Sequence, residues 1–482
     1  MRKNASIGLS VPLFCASLAT LFLGAPVLGL LGVWGYLVQK SAVPQFLKVM
    51  HAHVSWWSVV ILVAAFLLPL IPFKRWFKRA LIIFSFAAMP SYVFFLTMHH
   101  VVVGPTPQQI GGLGAFFLTS YGLGGFVVEI LFFASMFAIG LGSIGVRLPF
   151  VTSAEPAPLR YELISHVVLS RRVIIGYLSF LAVAITAGLT ILSLFTIQDK
   201  PVSPAALVQF HTHIGIFAIS YFMVMLLMGA VGVKEEISSF IEKFGLVALG
   251  ATAAGFAVFI FIGGSSAVWA IPAAVYYGFG VLVMGFLAAR GKFGLAPRGQ
   301  SFHFVRGAIV FVMASLFIFT IAGPYLALTY DRTPDVTVTY KQPEGGLHVG
   351  PYPDPQNYPG TAPVAKTPRG IENFHLSPAS WAHVALFWLI ALLLFGEKML
   401  GALGAPNFIF LLAVTIAQAP LFNAIGRLGA WAGLPFGIGP LYLVGHPLKT
   451  LNILMLFVVS ILWMRTMRRD EKEKNNTATP SS

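Results

Sequence analysis

An all-α membrane protein of twelve transmembrane helices, set as three pseudo-threefold arcs of four, is the fold this sequence predicts. Three observations predict it. The 482 residues are 57% hydrophobic and only 10% charged, which is the balance of a polytopic membrane chain and not of a soluble domain. Apolar runs long enough to cross a bilayer recur from end to end. Lys and Arg collect in alternate segments between those runs, the positive-inside pattern.

A spanning helix needs about 20 predominantly apolar residues. Runs of that kind cover approximately 10–37, 49–71, 80–103, 114–144, 172–196, 205–231, 245–265, 267–289, 303–328, 378–397, 405–425 and 437–464. The first follows a short basic segment, Arg2-Lys3, and contains the chain's one cysteine, Cys15. It has no clear cleavage site, so it reads as a retained helix and not a signal peptide. The last run is interrupted at its outer end by Gly445-His446-Pro447-Leu448-Lys449.

The arcs fall at about 1–144, 172–289 and 303–464, in a single polytopic domain. Residues 329–377 form the one long loop, rich in Pro and Gly and poor in regular structure, placed to cover the outer helix ends. Residues 465–482 are a charged tail.

The net charge of +15 does not point to nucleic acid. With a cytoplasmic N-terminus, Lys74–Arg79, Arg171-Arg172, Lys234–Lys243, Arg290–Arg298, Lys398 and the tail all fall on the cytoplasmic side, together with most of the 31 Lys and Arg. Twelve spans then place both termini in the cytoplasm, with the chain in the inner (cytoplasmic) membrane and the lipid bilayer as its first partner. One cysteine excludes disulfides and thiolate metal centres, and no CxxCH is present.

Three of the helices resemble one another. "KVMHAHVSWW" opens the second, "VQFHTHIGIF" the sixth and "SWAHVALFW" the tenth. The shared early histidine marks a four-helix period, and internal repeats in membrane proteins tend to hold the functional site at their interface. Seven of the 12 histidines lie at one depth: His51 and His53, His99 and His100 at the outer end of the third helix, His211 and His213, and His383. Ionisable side chains inside a bilayer are usually functional, and imidazole ligates both haem iron and copper.

At about 100° per residue, His211 and His213 point to opposite sides of their helix, so they hold two different groups and not one small ion. His99 and His100 stand at a helix end where both rings can turn to one metal. One of His51 and His53 supplies a third nitrogen, with His51 the first choice. Glu129, within "FVVEILFF", suits a proton relay with Thr119, Ser120 and Tyr121 above it. His375 and His446 read as outer loop residues, and His166 and His303 lie on the cytoplasmic side.

These motifs resemble the main subunit of the haem–copper oxidase and nitric oxide reductase superfamily, circularly permuted by one four-helix arc. The second and third helices here look like that family's sixth and seventh, the sixth like its tenth, and the tenth like its second. The resemblance implies a low-spin haem held by His213 and His383 and a high-spin haem held by His211. It implies copper held by His99, His100 and one of His51 and His53. It further implies reduction of O2 or NO with electrons from a cytochrome- or cupredoxin-type donor subunit or from quinol.

The tyrosine that oxidases of this family carry one turn along the sixth helix is replaced by Ser55 and Trp57. Tyr92, seven residues before His99, is the substitute. Arg427 is the candidate for the haem propionates. Two other classes fit parts of the pattern: a non-catalytic haem or copper membrane protein similar to the NnrS-like proteins, which share HAH-type motifs, and a histidine-based metal or proton transporter.

Overall fold

The computed structural model describes residues 4–33, 45–103, 120–151, 161–192, 202–203, 205–262, 267–292, 300–330, 338–341, 347–350, 369–431 and 440–477. Twelve helices in it are long and apolar enough to cross a membrane. They are α1 (Val11–Gly29), α2 (Met50–Leu67), α3 (Arg75–His99), α4 (Tyr121–Ser143), α5 (Arg171–Ile191), α6 (Leu207–Val231), α7 (Glu235–Phe261), α8 (Ala267–Ala289), α9 (His303–Ile321), α10 (Pro378–Gly401), α11 (Phe408–Ile425) and α12 (Pro447–Asp470). The chain is an all-α, multi-pass membrane protein.

Burial separates four inner helices, α1, α2, α6 and α10, from the rest. In the apolar windows of α2, α6 and α10, 72, 83 and 89% of residues are buried within the protein, against 28 to 50% in eight of the other nine. The remaining one, α1, is also an inner helix, at 78%. The sequence explains this. Past its histidines α6 is apolar on every side (Ile214, Phe217, Phe222, Met225, Leu226), and a helix with no polar face belongs inside. The outer helices turn Ile83, Phe86 and Phe94 of α3, or Val247, Phe261 and Ile262 of α7, outward, which only lipid can cover.

Sequential helices pack as antiparallel neighbours, as with α1 on α2, α5 on α6 and α10 on α11, and α12 returns to α1. The tight turns after α4, α6, α8 and α10 share one device, a glycine of positive φ (Gly145, Gly232, Gly291 and Gly404). At Gly232 (φ 73°) the chain reverses into α7, and Val233 N–H donates back to Met228 O at 3.0 Å. This left-handed cap satisfies a helix-end carbonyl at a φ that a side chain resists. Glu235 and Glu236 then occupy the first turn of α7, where the helix dipole favours acidic groups.

Two small sheets flank the bundle. β1 (Asn4–Ser10) leads into α1 and pairs antiparallel with β2 (Tyr161–Ser170), which leads into α5; this brings the entries of two helices four apart in the chain to the same end. At the other end, β3 (Val202–Ser203) pairs with β4 (Val338–Lys341), which pairs with β5 (Leu347–Gly350). β4 touches α6 and β5 touches α2, so these two strands lie against the two helices that carry HxH. The last helical run continues unbroken from Pro440 to Thr477, through Pro447 and well into the charged tail, where Arg469 and Glu473 form an exposed i,i+4 pair at 3.8 Å.

Candidate functional site

The first turns of α2, α6 and α10 bring His51, His53, His211, His213 and His383 to one end of the bundle. There Trp56 of α2 meets His383 of α10 (ring centres 6.0 Å apart), and His53 meets His211 at the same spacing with the planes 31° apart. α3 runs the opposite way and ends at His99, which is half-buried.

Four of the histidines have one nitrogen tied down, in two matching pairs. His51 Nδ1 donates to Gly24 O at 2.7 Å and His211 Nδ1 to Ala184 O at 2.7 Å, each carbonyl lying 27 residues upstream on the preceding helix. His213 Nδ1 donates to Gln209 O at 2.8 Å and His383 Nδ1 to Ala379 O at 2.6 Å, each one turn back on its own helix. A carbonyl can only accept, so Nδ1 carries the proton in all four rings and Nε2 carries the lone pair. Metal-binding histidines are commonly fixed in this way, with the second nitrogen donating to a backbone carbonyl.

The repeat extends to the small residues that admit the rings. A Cβ on Gly29 would meet His51 Cε1 at 2.5 Å, and one on Gly188 would meet His211 Cε1 at 2.8 Å. Each ring lies against the backbone of the helix before it, in a space only glycine leaves open.

Two aromatic clusters surround the histidines. His53 stands edge-on to Trp57 (5.6 Å), and Trp57 packs on Tyr92 (4.8 Å) and Phe132 (5.4 Å). Phe132 follows Glu129 by three residues on α4, which puts that carboxyl on the helix face beside this cluster. In the second cluster, the Tyr277 hydroxyl donates to His383 Nε2, and Tyr277 packs on Phe217 (5.5 Å). Phe217 in turn lies 5.8 Å from His213, which also packs against Trp269 (5.7 Å). His213 and His383 are thus joined through Phe217 and Tyr277. Trp56 and Trp57, adjacent on α2, reach one cluster each.

The structure therefore brings together His53, His211 and, through Trp57, Tyr92 and Glu129. It brings His383 to Tyr277 and, through Phe217, to His213. His51 turns to Gly24 and Gly29, so His53 is the member of its pair that faces His211. The side chains of His100, Arg427, Ser120, His166, His375 and His446, and the whole of Thr119, lie outside the described residues. His303 is exposed at the start of α9. Among the described residues no three His, Cys, Asp or Glu side chains stand close enough to share an ion.

The donors suit haem iron or copper: neutral imidazoles with Nε2 as the basic nitrogen. The spacing is more selective. Two imidazoles on opposite sides of one ion, with bonds of about 2.0–2.1 Å, place their ring centres about 6 Å apart. The His53–His211 separation is of that size, and a haem with a second metal on its far face needs more. At His383 a ligand to Nε2 has to take the place of the Tyr277 phenol.

The sequence does not single out Tyr277 or Trp56, and it marks Trp57 only as standing where the resembled family has its tyrosine. Trp57 was findable, since it follows His53 by four residues and so shares its helix face. Tyr277, in a run of small and aromatic residues on α8, carries no such signal. No family model, no curated protein and no solved structure matches this chain.

Proposed function

We propose that this chain is a membrane oxidoreductase that holds two haems and a copper and reduces O2 or NO. The observation that carries the reading is the shared tautomer of the three histidines assigned to haem, His211, His213 and His383, each with Nδ1–H on a carbonyl and Nε2 as the basic nitrogen. Three imidazoles held this way, near one end of the apolar spans, are prepared as ligands. When bound, the metals hold and polarise the diatomic molecule and pass electrons to it.

The residues of the chain have distinct parts in this reading. His213 and His383 hold the low-spin haem and His211 the high-spin haem. His99 and His100 hold the copper, with His53 as the third nitrogen because it is the member of its pair that faces His211. Tyr92 and Glu129 supply protons to the His53 side through the Trp57 contact zone. Arg427 serves the haem propionates. The electron donor is a cytochrome- or cupredoxin-type subunit or quinol. The three arcs of four, the cytoplasmic termini and the inner-membrane location belong to the same proposal, supported by the deep burial of α2, α6 and α10, four helices apart, and by the basic turns.

A second reading is favoured by the His53–His211 spacing. Rings 6.0 Å apart suit one shared metal, as in a non-catalytic haem or copper protein of the NnrS-like kind or a metal transporter.

A pyridine haemochrome assay on the purified chain, with copper analysis, separates these readings. Two haems and one copper per chain, loss of the bis-histidine spectrum in His383→Ala, and loss of O2 or NO consumption in His211→Ala support the oxidoreductase. One metal per chain, lost in both His53→Ala and His211→Ala, supports the second reading. A chain free of haem refutes the first.

A further inference from the structure

A second built site lies away from the histidine pairs. Between α1, α10, α11 and α12 there is a narrow, half-open cleft, with about 370 Å³ of empty space when the open space at its mouth is included. Its walls are mostly apolar, with Leu18 and Leu21 from α1 and Leu456 from α12. Four polar or aromatic groups interrupt them: Trp381 and Trp388 of α10, and Lys449 and Asn452 of α12.

Lys449 and Asn452 stand one turn apart on one face of α12, and Trp381 and Trp388 two turns apart on one face of α10. The Lys449 ammonium sits over the Trp381 ring, 2.7 Å from its centre, and is 7% exposed. Asn452 is 4% exposed, and both its Nδ2 and its Oδ1 have no hydrogen-bond partner. Trp388 is 3% exposed, and its Nε1–H has none either. Buried amide and indole groups left unsatisfied are costly, and native interiors seldom keep them without a partner.

The chemistry of the walls defines what fits. At the outer end the Asn452 carboxamide N–H and the Lys449 ammonium are donors, and the ammonium is a fixed cation, so they call for an oxygen-bearing anion. The helices that form the cavity all cross the apolar layer, and its lining beyond the polar groups is aliphatic, so the rest of the ligand is hydrocarbon. Lys449 and Trp381 mark the end where α10 and α12 begin, the end at which a lipid head enters; Trp388 and Leu456 lie about 10 Å further in.

We propose that this cavity binds an acidic amphiphile, its phosphate or carboxylate head held by Lys449 and Asn452 and its chain running along Trp388, Leu18 and Leu456. Where the head carries a hydroxyl, as in phosphatidylglycerol, the Asn452 Oδ1 accepts from it. Trp381 is two residues from His383, so the ligand braces the turn of α10 that carries that histidine. The site is independent of whether the chain holds haem.

The test uses the full chain purified in neutral detergent, delipidated and reconstituted with brominated lipids, which quench tryptophan on contact. The difference between the native chain and Trp388→Phe isolates the Trp388 signal. Brominated phosphatidylglycerol or a brominated fatty acid should quench it at a mole fraction at least about tenfold below that of brominated phosphatidylcholine, the effect of one charge-assisted hydrogen bond. Lys449→Gln should abolish that preference, and Asn452→Leu should reduce it if the lysine variant does not fold. A preference for phosphatidylglycerol identifies the phosphate source, and one for the fatty acid the carboxylate source. Equal quenching by the neutral lipid, or an acidic preference that survives both substitutions, overturns the proposal.

Discussion

Gly188 shows how much of this site depends on a missing methyl group. The His211 ring lies so close to α5 that a Cβ at position 188 would meet its Cε1 at 2.8 Å and its Nδ1 at 3.0 Å. Gly188→Ala is therefore expected to push the ring off Ala184 O and to destabilise the protein by about 1–3 kcal/mol, as overpacking does. Gly250→Ala on α7, where nothing lies within 4 Å, is the control and should be neutral or stabilising by up to about 1 kcal/mol. Thermal unfolding of the two variants in one detergent compares them directly.

Tyr277 permits a cleaner test of tautomer. Tyr277→Phe removes the donor to His383 Nε2 and should cost about 1 kcal/mol. In a histidine-selective 15N spectrum of the cofactor-free chain, one hydrogen-bonded acceptor nitrogen should lose its partner. No change in that spectrum would refute the pairing. The histidines themselves were legible at this scale, because a polar ring in an apolar run is conspicuous. Gly29, Gly188 and Tyr277 were not, because their meaning lies in what a different helix brings to them.

Among the elements, α7 and α8 make the closest crossing that glycine controls. A Cβ on Gly255 would run into the Val268 carbonyl and lie 2.9 Å from Trp269 Cα, both backbone, so nothing flexible can yield. Gly255→Ala should force the helices apart and cost more than about 3 kcal/mol, the upper end of overpacking effects. Gly278→Ala on α8, with nothing within 4 Å, should not. The readout is again thermal unfolding, with proteolysis near residue 263 reporting whether the α7–α8 pair has opened. All twelve helices were readable from apolar length, since a bilayer tolerates few other spanning structures. The strands were not. β1 and β2 are short, adjoin long helical runs, and pair across more than 150 residues of chain, so neither segment alone carries a sheet signal. The same holds for β4 and β5, whose loop reads as irregular from its Pro and Gly content.

On the scale of the whole molecule, the even number of spans has one consequence that can be measured without any cofactor. If all twelve apolar helices among the described residues cross the bilayer, both termini fall on one side. The tight glycine-capped turns after α4, α6, α8 and α10 all lie on that side too, and Arg147, Lys234, Lys292 and Lys398 stand in or beside them. The opposite end carries the histidines and the β3–β4–β5 sheet, with longer connections and fewer basic groups. Lys and Arg near short loops decide orientation, so the glycine-capped end should face the cytoplasm. A fluorescent reporter that matures only in the cytoplasm, fused after Ser482, should then be active, and a periplasm-dependent reporter inserted within residues 351–368 should be active in the same chain. The reverse pattern would place the histidines on the cytoplasmic side, where a cytochrome- or cupredoxin-type donor from outside could not reach them. Activity at only one of the two positions, with the other reporter shown to be intact, would mean an odd number of crossings. The four-helix period that orders the site would then lose its topological basis.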